Sequence, residues 1–190
     1  MMWDLPLSIS IDGKEYAIRN KCDYRVVLDV LRVINAPDLD DMGKVIRTLI
    51  IFYEDYDSIT DAAEAYVQMV KVLNCGDSGT EPQQSSNSPK LMDWEQDFSL
   101  MCPPINHVLG YDVRDPNRYT HWFTIIGAFS EINNGQCYYS RILEIRSKIA
   151  SGKKLDQQEI NFYKANKKDI VLSDKITDAD KEWLESGFDW

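Results

Sequence analysis

The chain is poor in the side chains that most often do chemistry. Its 190 residues include two histidines, His107 and His121, and four cysteines, Cys22, Cys75, Cys102 and Cys137. No two cysteines form a C-x-x-C pair, so the sequence predicts four free thiols rather than a disulfide framework. Structural zinc sites use closely spaced ligand pairs at each end, whereas Cys102, His107, His121 and Cys137 stand singly along the chain. There is no P-loop, no dinucleotide-binding glycine fingerprint, no G-x-S-x-G and no H-E-x-x-H. The expectation is a protein that is not an enzyme and has no cofactor or metal. Long apolar runs are also missing. LIIFY at 49–53 falls far short of the roughly 18 residues that span a bilayer, and the start MMWDLP lacks a basic region and an apolar stretch. A soluble chain that stays in the cytoplasm where it is made is therefore expected, unless an assembly carries it out. Positive charge is scarce, with 21 Lys and Arg against 31 Asp and Glu and a net charge of -10. That balance repels nucleic acid and anionic membranes and argues against both as partners.

What is present is patterned apolar content, 44% of the chain. Leu7-Ser8-Ile9-Ser10-Ile11 and Lys14-Glu15-Tyr16-Ala17-Ile18 alternate around Asp12-Gly13, which predicts a β-hairpin with a type I′ turn. Helical spacing follows. Val27, Val30, Leu31 and Ile34 form one stripe behind the cap Asp23, and Val45, Leu49, Phe52 and Tyr53 form a second. Ala62, Tyr66, Met69, Val70 and Leu73 form a third, capped by Thr60. Residues 76–90, GDSGTEPQQSSNSPK, have no periodicity and predict a mobile linker. Beyond it Trp94, Phe98, Met101, Cys102, Ile105 and Leu109 carry a helical stripe straight through Pro103-Pro104 and end at Gly110. Prolines predict a kink there, or two short helices sharing a face. Further helices carry Trp122, Ile125, Ile126 and Phe129, then Tyr138, Ile142, Ile145 and Ile149, with Asn133-Asn134-Gly135 between them. Asp156 and Glu159 read as a capping box, and Thr177 and Asp180 as a weaker one opening a last helix with Ile176, Ala179 and Trp183. The expected fold is mainly α: an N-terminal hairpin, then a compact bundle of about seven helices. The expected divisions are 1–75, a linker at 76–90, a helical half at 91–172 and a helical tail at 173–190.

The densest chemistry is at 102–122, CPPINHVLGYDVRDPNRYTHW. A metal reading of its histidines is set against core or surface-edge residues, and the spacing favours the second. Asp93 and Asp97 of DWEQD lie four apart on one helix face. Such a pair suits acid–base work, but the first turn of a helix also favours negative charge for its dipole and free amides. Trp122 and Trp94 are read as core anchors joining two helices, Gly110 as a left-handed C-cap, and His121 and Asp97 as hydrogen-bond partners across the junction. Two charge blocks remain. Residues 54–64 hold Glu54, Asp55, Asp57, Asp61 and Glu64 without a cation, and residues 141–168 hold eight Lys or Arg against three acids. Solvated helix faces explain both; opposite signs also suit head-to-tail homo-oligomers or capture of a long charged helix.

LPLSISIDGKEYAIR, DWEQD, INHVLGYDVRD, THWFTIIGAF and ILEIRSKIASGKKLDQQEINFYKANK, taken in order, resemble the phage protein family named after a fifteenth gene product. The resemblance covers about residues 2–172. Asp93, Glu95 and Asp97, with Trp94 between them, match D-x-E-Q-D; Gly110, Asp112 and Arg114 match V-L-G-x-D-V-R; His121 and Trp122 match H-W; and I-x-x-I-R ends at Arg146. Pro103-Pro104 departs from the pattern. Members are encoded in the tail-morphogenesis regions of long-tailed phages and prophages of Gram-positive bacteria. The resemblance therefore implies a tail assembly chaperone in the host bacterial cytoplasm. Its partners would be the tape-measure protein and, second, the major tail protein. The alternatives are a structural component of the virion tail, or a metal- or nucleic-acid-binding regulator.

Overall fold

The computed structural model describes residues 4–76, 89–132 and 137–173. The expected hairpin is there: β1 (Ser8–Ile11) pairs antiparallel with β2 (Lys14–Ala17), Ile11 opposite Lys14. Asp12 and Gly13 both take positive φ, 51° and 77°, as a type I′ turn requires. Ile9, Ile11, Tyr16 and Ile18 are buried. A two-stranded ribbon is not stable alone, and this one leans on the chain after the second helix. Ile18 forms a bridge with Tyr53, and the Tyr16 hydroxyl donates to the Ser58 carbonyl at 3.1 Å.

An unforeseen element comes next. The 3-10 turn Arg19–Cys22 holds Asn20, Lys21 and Cys22 at φ of 48°, 56° and 61°. Left-handed L-residues cost roughly 1–2 kcal/mol each, so tertiary bonds must impose the turn. The Tyr119 hydroxyl donates to the Lys21 carbonyl at 2.8 Å. Arg19 donates to the carbonyls of Ile50, Ile51 and Tyr53 at 2.9, 2.9 and 2.7 Å.

Three helices follow: α1 (Tyr24–Ile34), α2 (Asp41–Phe52) and α3 (Ala62–Leu73). Each starts on an aspartate. Asp23 accepts from the Arg25 amide, Asp40 from Gly43 and Asp61 from Glu64. The third cap is thus Asp61 and not Thr60, because the side chain must sit one residue before the first helical turn to reach its amides. Val27, Val30, Leu49, Phe52, Tyr53, Ala65 and Met69 are fully buried, which makes one apolar layer of the three stripes.

Farther along, α4 (Trp94–Leu109) runs through Pro103 and Pro104 as one helix, not two short ones. Asp93 caps it, and Gly110 ends it at φ 75°, in the left-handed region where glycine is favoured. A Cβ on Gly110 would meet nothing within 4 Å, so the backbone conformation alone selects glycine there. Then come α5 (Trp122–Ile132), α6 (Tyr138–Ala150), α7 (Gln157–Ala165) and a short α8 (Lys167–Ile170) that the periodicity had not signalled. The Asp156–Glu159 capping box is complete in both directions. Ile142, Ile145 and Ile170 centre a core with Leu100, Leu155, Phe162 and Tyr163 against it. Tyr138 and Ile149, expected on the apolar stripe of α6, lie 43% and 47% exposed at its edges.

The chain divides into two compact units. The first takes Met1–Ser86 and Val113–Ser130; the second takes Asn87–Asp112 and Glu131–Trp190. The linker at 76–90, the break at Asn133-Asn134-Gly135 and the helix expected around Thr177 to Trp183 fall wholly or mostly outside the described residues.

Candidate functional site

The D-x-E-Q-D segment is built on the start of α4. Asp93 accepts from the amides of Glu95 and Gln96, both at 2.9 Å, and from the Lys90 ammonium at 2.7 Å. Burial pushes its carboxyl up, but Lys90 and the two amides outweigh burial and hold it below the usual carboxylate range. Trp94 is half-buried rather than a core anchor, and Glu95 is exposed. One turn on, Asp97 is fully buried.

Asp97 meets Arg146 on α6. Arg146 Nη1 and Nη2 donate to Asp97 Oδ2 and Oδ1 at 2.6 and 2.9 Å, a two-pronged ion pair. The Tyr139 hydroxyl (3.1 Å) and the Asp93 amide (3.0 Å) donate to Oδ2 as well. Arg146 gives its other donors to the carbonyls of Leu91, Asp169 and Ile170 at 2.9, 2.7 and 2.8 Å. All five guanidinium donors are therefore engaged. Burial first, and then the Asp97 charge, push the Tyr139 hydroxyl far above the usual tyrosine range and keep it a donor. Gln96 completes the cluster: its amide donates to the Val171 carbonyl at 2.9 Å and its oxygen accepts from the Ser173 amide at 2.8 Å. So D-x-E-Q-D and I-x-x-I-R are two halves of one clamp on residues 169–173. Sequence reasoning had not singled out Gln96 or paired Arg146; the signal available was a lone arginine ending an isoleucine stripe.

The H-W pair belongs to the first unit, where His121 makes other bonds than the one expected with Asp97. His121 Nδ1 accepts from the Phe123 amide at 3.0 Å and caps the first turn of α5, and its Nε2 lies 3.1 Å from the Pro6 carbonyl. A ring that accepts at one nitrogen and donates at the other is neutral. Burial lowers its pKa, while the Pro6 carbonyl and the charge of Asp23 work the other way. Trp122 is buried, and its indole donates to the Leu73 carbonyl at 2.9 Å, tying α5 to the end of α3. Around them, Asp23 accepts from Thr120, and Tyr24 and Arg25 donate to the Val113 carbonyl, both at 2.9 Å. Val113 of V-L-G-x-D-V-R is thus held through its carbonyl, while Arg114 is exposed.

The residues of the metal reading do not gather. Cys137 caps α6 by accepting from the Ser140 amide, Cys102 is buried in α4, His107 is exposed, and His121 lies in the other unit. Among the described residues no group of three or more His, Cys, Asp or Glu could hold a metal ion. Burial pushes the Cys22 thiol up to about 12 and raises Cys75.

The second unit also holds a groove of about 560 Å³. Ser99, Leu100, Pro103, Pro104, His107 and Val108 of α4 form one wall; Ile132, Cys137, Tyr138 and Tyr139 contribute to the rest, with Glu131 at the rim. A proline nitrogen has no hydrogen, so Pro103 and Pro104 leave the Ser99 and Leu100 carbonyls without their helical donors. The groove is thus a largely apolar slot with two prolines in one wall. No described helix is long and apolar enough to cross a membrane.

Comparison with known proteins sets these motifs in a family. No curated protein and no solved structure matches the chain. The family model described as bacteriophage Gp15 protein matches residues 2–172, a span that includes both halves of the Asp97–Arg146 clamp and the His121–Trp122 pair. The chain belongs to the bacteriophage Gp15 protein family.

Proposed function

We propose that this protein is a non-enzymatic phage tail assembly chaperone that holds helical segments of the tape-measure protein in the groove between α4 and α6. The observation that carries the reading is the groove itself. Its walls are mostly aliphatic, proline and tyrosine side chains, and about 560 Å³ accommodates several apolar side chains from one face of an amphipathic helix. Val108 and Tyr138, 45% and 43% exposed, stand ready to be covered. Binding of this kind needs no catalytic group. In keeping with that, the strongest acid–base candidates, Asp97 and His121, are already engaged by structural hydrogen bonds. The protein would act in the host cytoplasm, with the major tail protein as a second partner once the tube forms around the tape measure.

The test is coexpression with the tape-measure protein encoded nearby. The expected outcome is a soluble complex that co-purifies, and loss of that complex with Val108→Glu while the variant stays folded. An insoluble tape-measure protein with nothing co-purifying would defeat the proposal. Stoichiometric recovery of the chain in purified tails would make it a structural virion component instead.

A further inference from the structure

The acidic block at 54–64 has no part in the groove, yet it borders a second apolar feature, on the first unit. On α2, Met42, Ile46 and Ile50 recur every fourth residue, which places them on one face over about 12 Å of helix. They are 67%, 39% and 45% exposed. Isolated exposed apolar residues are ordinary, but three in register form a stripe of the kind helices use to dock. The stripe is bounded by acids at both ends. Asp38 and Asp41 stand at its start; Glu54, Asp55 and Asp57 stand just past its end. All five are exposed, and none pairs with a Lys or Arg among the described residues.

The position of the last three is locally unfavourable. A helix C-terminus carries negative partial charge and prefers cations. Arg19, which reaches this end, gives its donors to the carbonyls of Ile50, Ile51 and Tyr53 and makes no ion pair with the acids. Lys44 and Arg47, the cations of α2 itself, lie about 100° or more round the helix from Ile46. Unpaired acids beyond a helix C-terminus, framing an apolar stripe, are complementary to a ligand with the reverse pattern.

We infer that the α2 face is a docking site for a cationic amphipathic helix of another protein, its aliphatic stripe on Met42, Ile46 and Ile50 and its Lys or Arg residues against the acids at either end. The basic block of a second copy is a poorer occupant. Among its described large aliphatics only Ile149 is exposed, and Arg141, Arg146 and Lys148 are already paired with acids of their own unit. This site lies on the first unit and does not depend on the groove of the second; variants in one test it without touching the other.

The experiment uses the full chain and two synthetic helical peptides of about 18 residues, long enough to form five turns. One carries a leucine stripe flanked by lysines, the other the same stripe flanked by glutamates. Fluorescence anisotropy should show the lysine peptide binding at least tenfold tighter than the glutamate peptide, with affinity falling as salt rises. Ile46→Asp should weaken binding tenfold or more. Asp55→Asn with Asp57→Asn should weaken it less and flatten the salt dependence, and Val108→Glu should leave it unchanged. Equal affinity for the two peptides, or wild-type affinity in Ile46→Asp, would overturn the inference. So would sedimentation showing a dimer that Ile46→Asp dissolves, since the occupant would then be a second copy.

Discussion

Asp97 and Arg146 show how one ion pair sets the demands on its neighbours. Taking a carboxylate and a guanidinium out of water is costly, and the pair is tolerable here because every donor of Arg146 and both oxygens of Asp97 are satisfied. Removing one partner strands the other. Asp97→Asn should lower the free energy of unfolding by about 3–5 kcal/mol in urea melts. Arg146→Met should cost at least as much because it also frees the carbonyls of Leu91, Asp169 and Ile170. In a cycle of Asp97→Leu, Arg146→Met and the two combined, the double variant should cost less than the sum of the singles, and a fully additive double variant would show that the two do not act as a pair. His121 sets a pH dependence. Its folded pKa lies below the 6.5 of a free histidine, chiefly through burial. Below that pH the unfolded chain binds a proton that the native ring does not, so stability from this group is complete above about 6.5 and declines as pH falls. His121→Asn, which can still cap α5, should flatten that decline in melts between about pH 7 and pH 5. Trp122→Ala should destabilise by about 3–5 kcal/mol, since it empties a buried site and orphans the Leu73 carbonyl. An unchanged urea midpoint would instead place the ring at the surface. The identities of these residues stood out in the sequence, but their partners did not. A spacing of 49 residues between Asp97 and Arg146 is invisible to local pattern.

Elements follow a different rule, because caps and turns act over a few residues. Asp12-Gly13, Asp23, Gly110 and the Asp156–Glu159 box were all readable, since each satisfies amides or adopts a backbone region within its own segment. The left-handed turn Arg19–Cys22 and the short α8 were not. Nothing local favours Lys21 or Cys22 at positive φ; Tyr119 and Arg19 hold that turn from a distance. Residues 169 and 170, at the end of α8, likewise present their carbonyls to Arg146. At α4 the local rule was overruled. Two interior prolines should break a helix, yet capping at Asp93 and Gly110 and the buried stripe of Met101, Cys102 and Ile105 keep it whole. Pro103→Ala restores a donor to the Ser99 carbonyl and should therefore stabilise the protein by about 1 kcal/mol or more. The expected result is a higher urea midpoint. A lower midpoint would mean that the proline ring packs better than the restored bond.

For the whole molecule, the first unit recruits a segment from late in the chain. Thr120 pairs with Asp23 and Tyr24, His121 with Pro6, and Trp122 with Leu73, so Val113–Ser130 completes a unit begun by the hairpin and the first three helices. A fragment of residues 1–86 should accordingly lack a cooperative thermal transition, and an added peptide of residues 113–130 should restore one. A sharp transition for the fragment alone would show that the late segment only decorates a finished unit. Composition, net charge, the hairpin, the helical stripes, most caps and the family were determined by sequence alone, because apolar periodicity and capping are properties of neighbours along the chain. Tertiary structure alone decided which motifs meet: Asp97 with Arg146 rather than with His121, Trp122 with α3 rather than with Trp94, and a proline-walled groove from an apparent helix breaker. Those outcomes depend on where the chain returns to itself, and burial then makes each polar group take whichever partner lies within reach.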